Sequence, residues 1–382
     1  MSLELTTEWY INKTNSIKAA LADEGLDAIL LLDPFNIFYA SGFFHQSTER
    51  PLGMFIRAKG DPILYVPALE KEMAEDTWIS AVKVYFDYPM LVHPINWMLD
   101  DNKDCKRVGI DRLSHREWEI VTADHPGVSM SDLVYTMRLV KDEKEIAILE
   151  TAAHYADMLC GLVKEAIYDG MSELDAFTYA GTTMTTRMTE DLGDLIYANQ
   201  GVYNGAVLYG PHSAHPHGMM SANNYPKNGH VIQAGFGALV CTYESESEHC
   251  FLYGEPDKQT VSYFNAMYSA WKAGWETAKP GMTCAELNEV VLGKIKEAGY
   301  ERFLRHRMGH GKGLEEHEAP WVSEGDFTVL KPGMCISDEP GLYVPGYGGF
   351  RHSDTILITE TGCRRLTQFP RELETCIIPI KK

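Results

Sequence analysis

The chain has 382 residues, 45% of them hydrophobic and 23% charged, enough apolar material for a large core shared between two domains. Its 54 acidic and 34 basic side chains give a formal charge of -20, a balance that repels phosphate backbones and anionic membranes and so excludes nucleic acid and membrane partners. No apolar run approaches the ~20 residues of a membrane span. The eight cysteines show no C-x-x-C pair or dense framework, which argues for reduced thiols and a cytoplasmic setting.

The first third alternates helical and strand patterns. Apolar positions at helical spacing run from Trp9 to Gly25, and Ala28 to Leu32 is a short apolar run closed by Asp33-Pro34, a buried strand. Met54 to Val66 reads as a hairpin turning at Lys59 to Pro62. Val82 to Phe86 and Arg107 to Ile110 supply further strands, with helices near Leu69 to Asp76 and His115 to Ala123. From Ser131 a long helix-favouring stretch begins, which places a domain junction at residues 130 to 140 and divides the chain into 1–135 and 136–382. Helices continue to about Asp191, and turn-rich strands run from Gly201 to Gly254. Two helices follow at Lys258 to Ala278 and Thr283 to Ala298, separated by Pro280-Gly281, and strands dominate from Arg305 onward.

His306, His310 and His317 fall within one glycine-interrupted segment, HRMGHGKGLEEHE. Glycines at 309, 311 and 313 weaken a helix and favour close backbone approach, so these histidines can converge on a cleft. His45 and His154 lack such a pattern and read as structural. The ESESE run at Glu244 to Glu248 reads either as a site or as a solvated strand edge that uses charge against aggregation.

The segments GHGKGLEEHEAP, DEPGLYVPGYGGFRHSDT and LYGPHSAHPHG, with DPFNIFYASGF near the start, resemble the creatinase, prolidase and aminopeptidase P family. The resemblance spans essentially the whole chain. It implies an α/β N-terminal creatinase-like domain and an α+β pita-bread C-terminal catalytic domain. Members usually bind two metal ions through two Asp, one His and two Glu. Here the matching positions are Gln233, Glu246 (with Glu244 as the other register), His310, Glu339 and Ser353. Gln233 and Ser353 bring no charge to a pair of divalent ions.

The same resemblance to the metal-free creatinase branch implies a C–N hydrolase of a small carboxylate-bearing substrate, with no metal ligands. His217 would be the general base, Glu248 would hold a cationic carbon–nitrogen group, and His310, His317 and Glu339 would complete the catalytic set. Arg50, Arg351, His306 and His352 would bind substrate, Arg50 reaching across a homodimer to clamp a carboxylate. A metal-dependent Xaa-Pro dipeptidase or aminopeptidase P is the alternative, with a single Mn, Co, Zn or Fe ion rebuilt from Glu244, Glu246, Glu248, His249 and Asp354. A catalytically inactive member that binds a small ligand or a protein partner through the inherited cleft is the third reading.

Overall fold

Pairing of the short apolar runs builds one sheet in each of two units. The computed structural model describes residues 3–46, 48–196 and 201–381, and its two units are Glu4–Arg138 and the chain from Leu139 onward. The first carries a mixed six-stranded sheet made of β1 Ala28–Leu31, β2 Gly53–Arg57, β3 Ile63–Pro67, β4 Ala81–Tyr85, β5 Val108–Ile110 and β6 Val128–Met130. Its spatial order is β4-β3-β2-β1-β5-β6. All of β1 is buried, as its unbroken AILL run requires, and β2 and β3 form the antiparallel hairpin that the sequence predicts.

Helices α1 Thr7–Asp23, α2 Pro34–Ser41, α3 Lys71–Glu75, α4 Pro94–Asp100, α5 His115–Asp124 and α6 Leu133–Arg138 complete the first unit. The sequence reading did not expect α2 and α4. Both begin with the same device: Asp33 accepts hydrogen bonds from the N–H groups of Phe35 and Asn36, His93 accepts one from Ile95, and proline holds the first helical position. A D-P pair read as the end of a strand is also the start of a helix.

The second unit opens with α7 Glu143–Tyr168 and α8 Glu173–Leu192. There follow β7 Tyr203–Tyr209, β8 Val231–Val240, β9 Tyr243–Tyr253, α9 Lys258–Thr277 and α10 Cys284–Glu297. Then come β10 Gly309–Gly311, β11 Glu318–Val322, β12 Cys335–Asp338, β13 Gly341–Val344, β14 Gly348–Arg351, β15 Ser353–Ile358, β16 Cys363–Arg365, α11 Leu373–Cys376 and β17 Ile377–Ile378. The main path is β11-β10-β12-β15-β9-β8-β7, with β16 on β15 and β17 on β9, while β13 and β14 form a separate hairpin. Met267 and Trp271 of α9 and Leu287, Val291 and Ile295 of α10 share one buried cluster with Ile336 and Ile356 of the sheet.

The helix-favouring stretch from Ser131 is broken between α6 and α7, where Asp142 accepts from the N–H groups of Lys144 and Glu145 and Glu145 answers with a reciprocal cap. By length and composition α7 could cross a membrane, contrary to the sequence reading. Its apolar stripe, including Ile148, Leu149, Ala152 and Leu159, is instead buried in the unit, where α7 contacts β8, β9 and α8. Asp142→Ala removes a cap that serves two donors and is expected to lower stability by about 1 kcal/mol. A urea midpoint equal to that of the wild type would show the cap to be idle.

Candidate active site

Strand alternation sends Glu244, Glu246 and Glu248 of β9 to one face. Ser245 and Ser247 point to the other, where their hydroxyls donate to the Leu149 carbonyl (2.7 Å) and to Asp157 (2.9 Å) of α7. Because β9 lies between β8 and β15, ESESE is a central strand and not a solvated edge; Glu244 and Glu246 are buried. Glycines on β8 make the room. A Cβ at Gly237 would lie 2.6 Å from Glu244 Oε1, and one at Gly235 would lie 2.3 Å from Glu248 Oε1.

These glutamates open on a cavity of about 290 Å³, whose lining includes His217, Gln233, His317, Glu339 and Arg351. His310, on β10, is buried beside it. Its Nδ1 lies 3.0 Å from the Gly311 carbonyl, which can only accept, so Nδ1 carries the hydrogen. Nε2 then faces Glu339 Oε1 at 3.2 Å and Glu246 Oε2 at 3.7 Å. A neutral imidazole would turn a lone pair on two carboxylates, an arrangement that calls for a cation. Burial opposes a charge on His310, but Glu339 and Glu246 outweigh it and raise its pKa. Burial likewise pushes Glu339 up, and His310 above all, with His306 and Arg351, holds it far below the usual carboxylate range.

Glu246, His310 and Glu339 offer one ligand atom each, all within 4.8 Å of one another. That set fits a single ion, with Ser353 Oγ donating to Glu246 Oε1 (2.5 Å) to orient the carboxylate from behind. It corrects the expectation of a site without metal ligands and selects Glu246 over Glu244. Two ions do not fit. Both amide atoms of buried Gln233 lack partners and bring no charge, and the Ser353 hydroxyl is spent on Glu246. Of the carboxylates present, Glu244 is already paired with Lys312 and Glu248 with Arg351, and Glu246 shares Lys312 with Glu244.

Several sequence-based roles change. Glu248 is already paired: Arg351 grips both its oxygens, through Nε and through Nη2 (2.7 Å), so it is not free to hold a cationic substrate group. Arg351 lines the cavity, but it also donates to Tyr343 Oη (3.1 Å) and so braces the wall. His306 Nε2 accepts from that same hydroxyl (2.8 Å) while Nδ1 donates to its neighbour's carbonyl (2.7 Å); it supports Tyr343 and is not part of the lining. His352 is fully buried among His249, Phe264 and Trp271, because β-strand alternation turns it away from Arg351, and it leaves the substrate-binding set. His249 is buried in the same core, and Asp354 is bound up with Arg371 and Arg365; neither belongs to the ligand cluster.

His217 and His317 sit exposed on the cavity lining, the His317 ring 4.0 Å from that of His310. Arg50 belongs to the N-terminal unit, where Asp87 (2.7 Å) and Glu49 hold it. Sequence reasoning missed Lys312, Tyr343 and Glu173. The signal for Lys312 was its charge amid the glycines of GHGKGL. Glu173, fully buried, accepts from the N–H groups of Tyr209 (2.6 Å) and Ser221 (2.8 Å) and from His212 (3.0 Å), which fixes the loop that carries His217.

Residues 147–360 match the model of Metallopeptidase family M24, and residues 13–140 match that of the Creatinase/Prolidase N-terminal domain. The chain is 33% identical over 357 residues to a Xaa-Pro dipeptidase of Pyrococcus furiosus, covering 92% of this chain and 96% of that one. To a Xaa-Pro dipeptidase of Lactobacillus delbrueckii subsp. lactis it is 29% identical, with 95% and 98% covered. The solved prolidase of Pyrococcus horikoshii OT3 superimposes with a TM-score of 0.82 at 31% identity, over 95% of this chain and 99% of that structure. By these matches the chain belongs to metallopeptidase family M24, a hydrolase with a creatinase/prolidase N-terminal domain and a pita-bread catalytic domain.

Proposed function

We propose that this hydrolase cleaves the amide bond of small Xaa-Pro dipeptides with one divalent ion held by Glu246, His310 and Glu339. The observation that carries the reading is His310, with Nδ1 spent on a carbonyl and Nε2 facing two carboxylates. The relatives named Xaa-Pro dipeptidases support the substrate class, and a cavity of about 290 Å³ suits a dipeptide better than a long peptide. These observations favour a peptidase over the metal-free C–N hydrolase that the creatinase resemblance implied.

When bound, the ion polarises the carbonyl and acidifies water. The water oxygen bonds to the carbonyl carbon, the C–N bond breaks, and one water proton ends on the prolyl nitrogen. His217 and His317 on the lining are the groups placed to carry that proton. Partial loss of solvent lowers the His317 pKa and so favours the neutral imidazole that a base needs. Gln233, with both amide atoms unpartnered on the lining, can hydrogen-bond the peptide group. A homodimer in which Arg50 reaches the partner's site and binds the substrate carboxylate is part of this proposal, as is a cytoplasmic location, a reducing compartment that suits eight free thiols.

The test is hydrolysis of a panel of Xaa-Pro dipeptides by chelator-stripped protein, before and after addition of Mn, Co, Zn or Fe. Loss of turnover on stripping and its return at one equivalent is the expected result. Turnover unchanged by stripping would overturn the reading.

A further inference from the structure

Just past the end of β10, Lys312 sends its side chain under the site, onto two of the β9 glutamates. It is fully buried, and all three of its N–H donors are used: on Glu244 Oε1 (2.6 Å), Glu246 Oε2 (3.0 Å) and the Glu316 carbonyl (2.9 Å). With no proton left to offer a substrate, this ammonium acts as a fixed charge. The oxygen it shares is telling. Glu246 Oε2 is the atom of that carboxylate nearest His310 Nε2, so one carboxylate bridges the ligand cluster and the ammonium.

The other side of the cavity agrees. Where two divalent ions would call for anionic oxygens, the chain presents the neutral amide of Gln233 and a serine hydroxyl already donated to Glu246. Glu244, the carboxylate that does not reach His310, is neutralised by Lys312 and anchored on its other oxygen by Asn204 (2.9 Å).

We propose that the Lys312 ammonium is a resident cation that takes the place of one of two metal ions, so that the site admits at most one. The proposal relies on the one-ion reading above only for the identity of the ligands. An ion bound to Glu246 would share that carboxylate with the ammonium and be repelled by it, and a second ion would need the charge that Lys312 already neutralises.

The test uses the full chain, stripped with chelator and titrated with Mn, Co and Zn. Stoichiometry is read by elemental analysis after desalting, affinity by calorimetry, and the thermal shift on metal addition by scanning calorimetry. The wild type and Lys312→Arg are expected to saturate at no more than one equivalent. Lys312→Met is expected to bind a further equivalent, or to bind the first at least about tenfold tighter, with a larger upward thermal shift. Should Lys312→Met fail to fold without metal, Lys312→Met/Glu244→Gln removes one charge of each sign and is expected to show the same gain in affinity.

Two equivalents in the wild type would overturn the proposal, as would variants whose stoichiometry, affinity and thermal shift equal those of the wild type. A wild type that takes up no metal, with uptake in Lys312→Met, would sink the one-ion reading while supporting Lys312 as the resident cation. One equivalent in both proteins at equal affinity would do the reverse.

Discussion

His310→Ala is expected to lower kcat/KM on any Xaa-Pro dipeptide that the wild type cleaves by about 10²–10³-fold or more, the scale of losing one electrostatic group at a reacting centre. The side chain is the only neutral ligand of the cluster, and its orientation is fixed before any ion arrives by the hydrogen bond from Nδ1 to the Gly311 carbonyl. Its removal also leaves Glu246 and Glu339 facing one another with nothing between them, since both lie within 4 Å of Nε2. Metal uptake and activity should therefore fall together, while far-UV circular dichroism stays that of the wild type. A His310→Ala protein that keeps its metal and its turnover within tenfold would show that the cluster is not the metal centre. Loss of turnover with metal retained would assign the imidazole to the substrate.

The pattern of this site was partly legible in the sequence, and the reasons differ from residue to residue. His310 and Glu339 could be found because they lie inside glycine- and proline-marked segments, GHG and DEPG, whose close backbone packing leaves a recognisable spacing. The β9 glutamates were visible as an alternation, and period-2 spacing already puts all three on one face. Whether that face met solvent depended on which strands flank β9, and β15, which pairs with it, lies about a hundred residues further along the chain.

Pairings across such distances were not legible. Glu248 looked like a free anion until Arg351 was found on both of its oxygens. His352 looked like a site residue because its neighbour Arg351 is one, yet adjacent residues of an extended chain face opposite ways. Lys312 stood in plain view, but its meaning lies in the two carboxylates it reaches, which lie 68 and 66 residues earlier in the chain. In the N-terminal unit the apolar runs marked the strands well. The short helices α2 and α4 escaped because their evidence is a cap of one or two residues and not a periodic face.

Asp354 carries the largest expected effect on stability. The strand β15 turns Ser353 toward the cavity and Asp354 away from it, into a fully buried polar knot. There Oδ1 accepts from Thr367 (2.6 Å) and Arg371 (2.5 Å), and Oδ2 accepts from Trp271 Nε1 (2.8 Å) and pairs with Arg365 (2.7 Å). Arg371 goes on to donate to Ser247 Oγ (3.0 Å) and to the Ser353 carbonyl (2.6 Å), and so ties β9 to β15 behind the ligand cluster. Removing the carboxylate leaves two guanidinium groups without their buried counter-charge, and breaking such a pair costs roughly 3–5 kcal/mol. Asp354→Ala is accordingly expected to lose about that much stability in urea, read on the unfolding of the C-terminal unit. Asp354→Asn, which keeps the shape of the side chain and one of its two acceptor oxygens, should lose less. Because neither oxygen of Asp354 belongs to the ligand cluster, metal stoichiometry in Asp354→Asn should match the wild type. A loss below about 1 kcal/mol in Asp354→Ala would sink the stability role, and a loss of metal in the asparagine variant at unchanged stability would make Asp354 part of the metal centre.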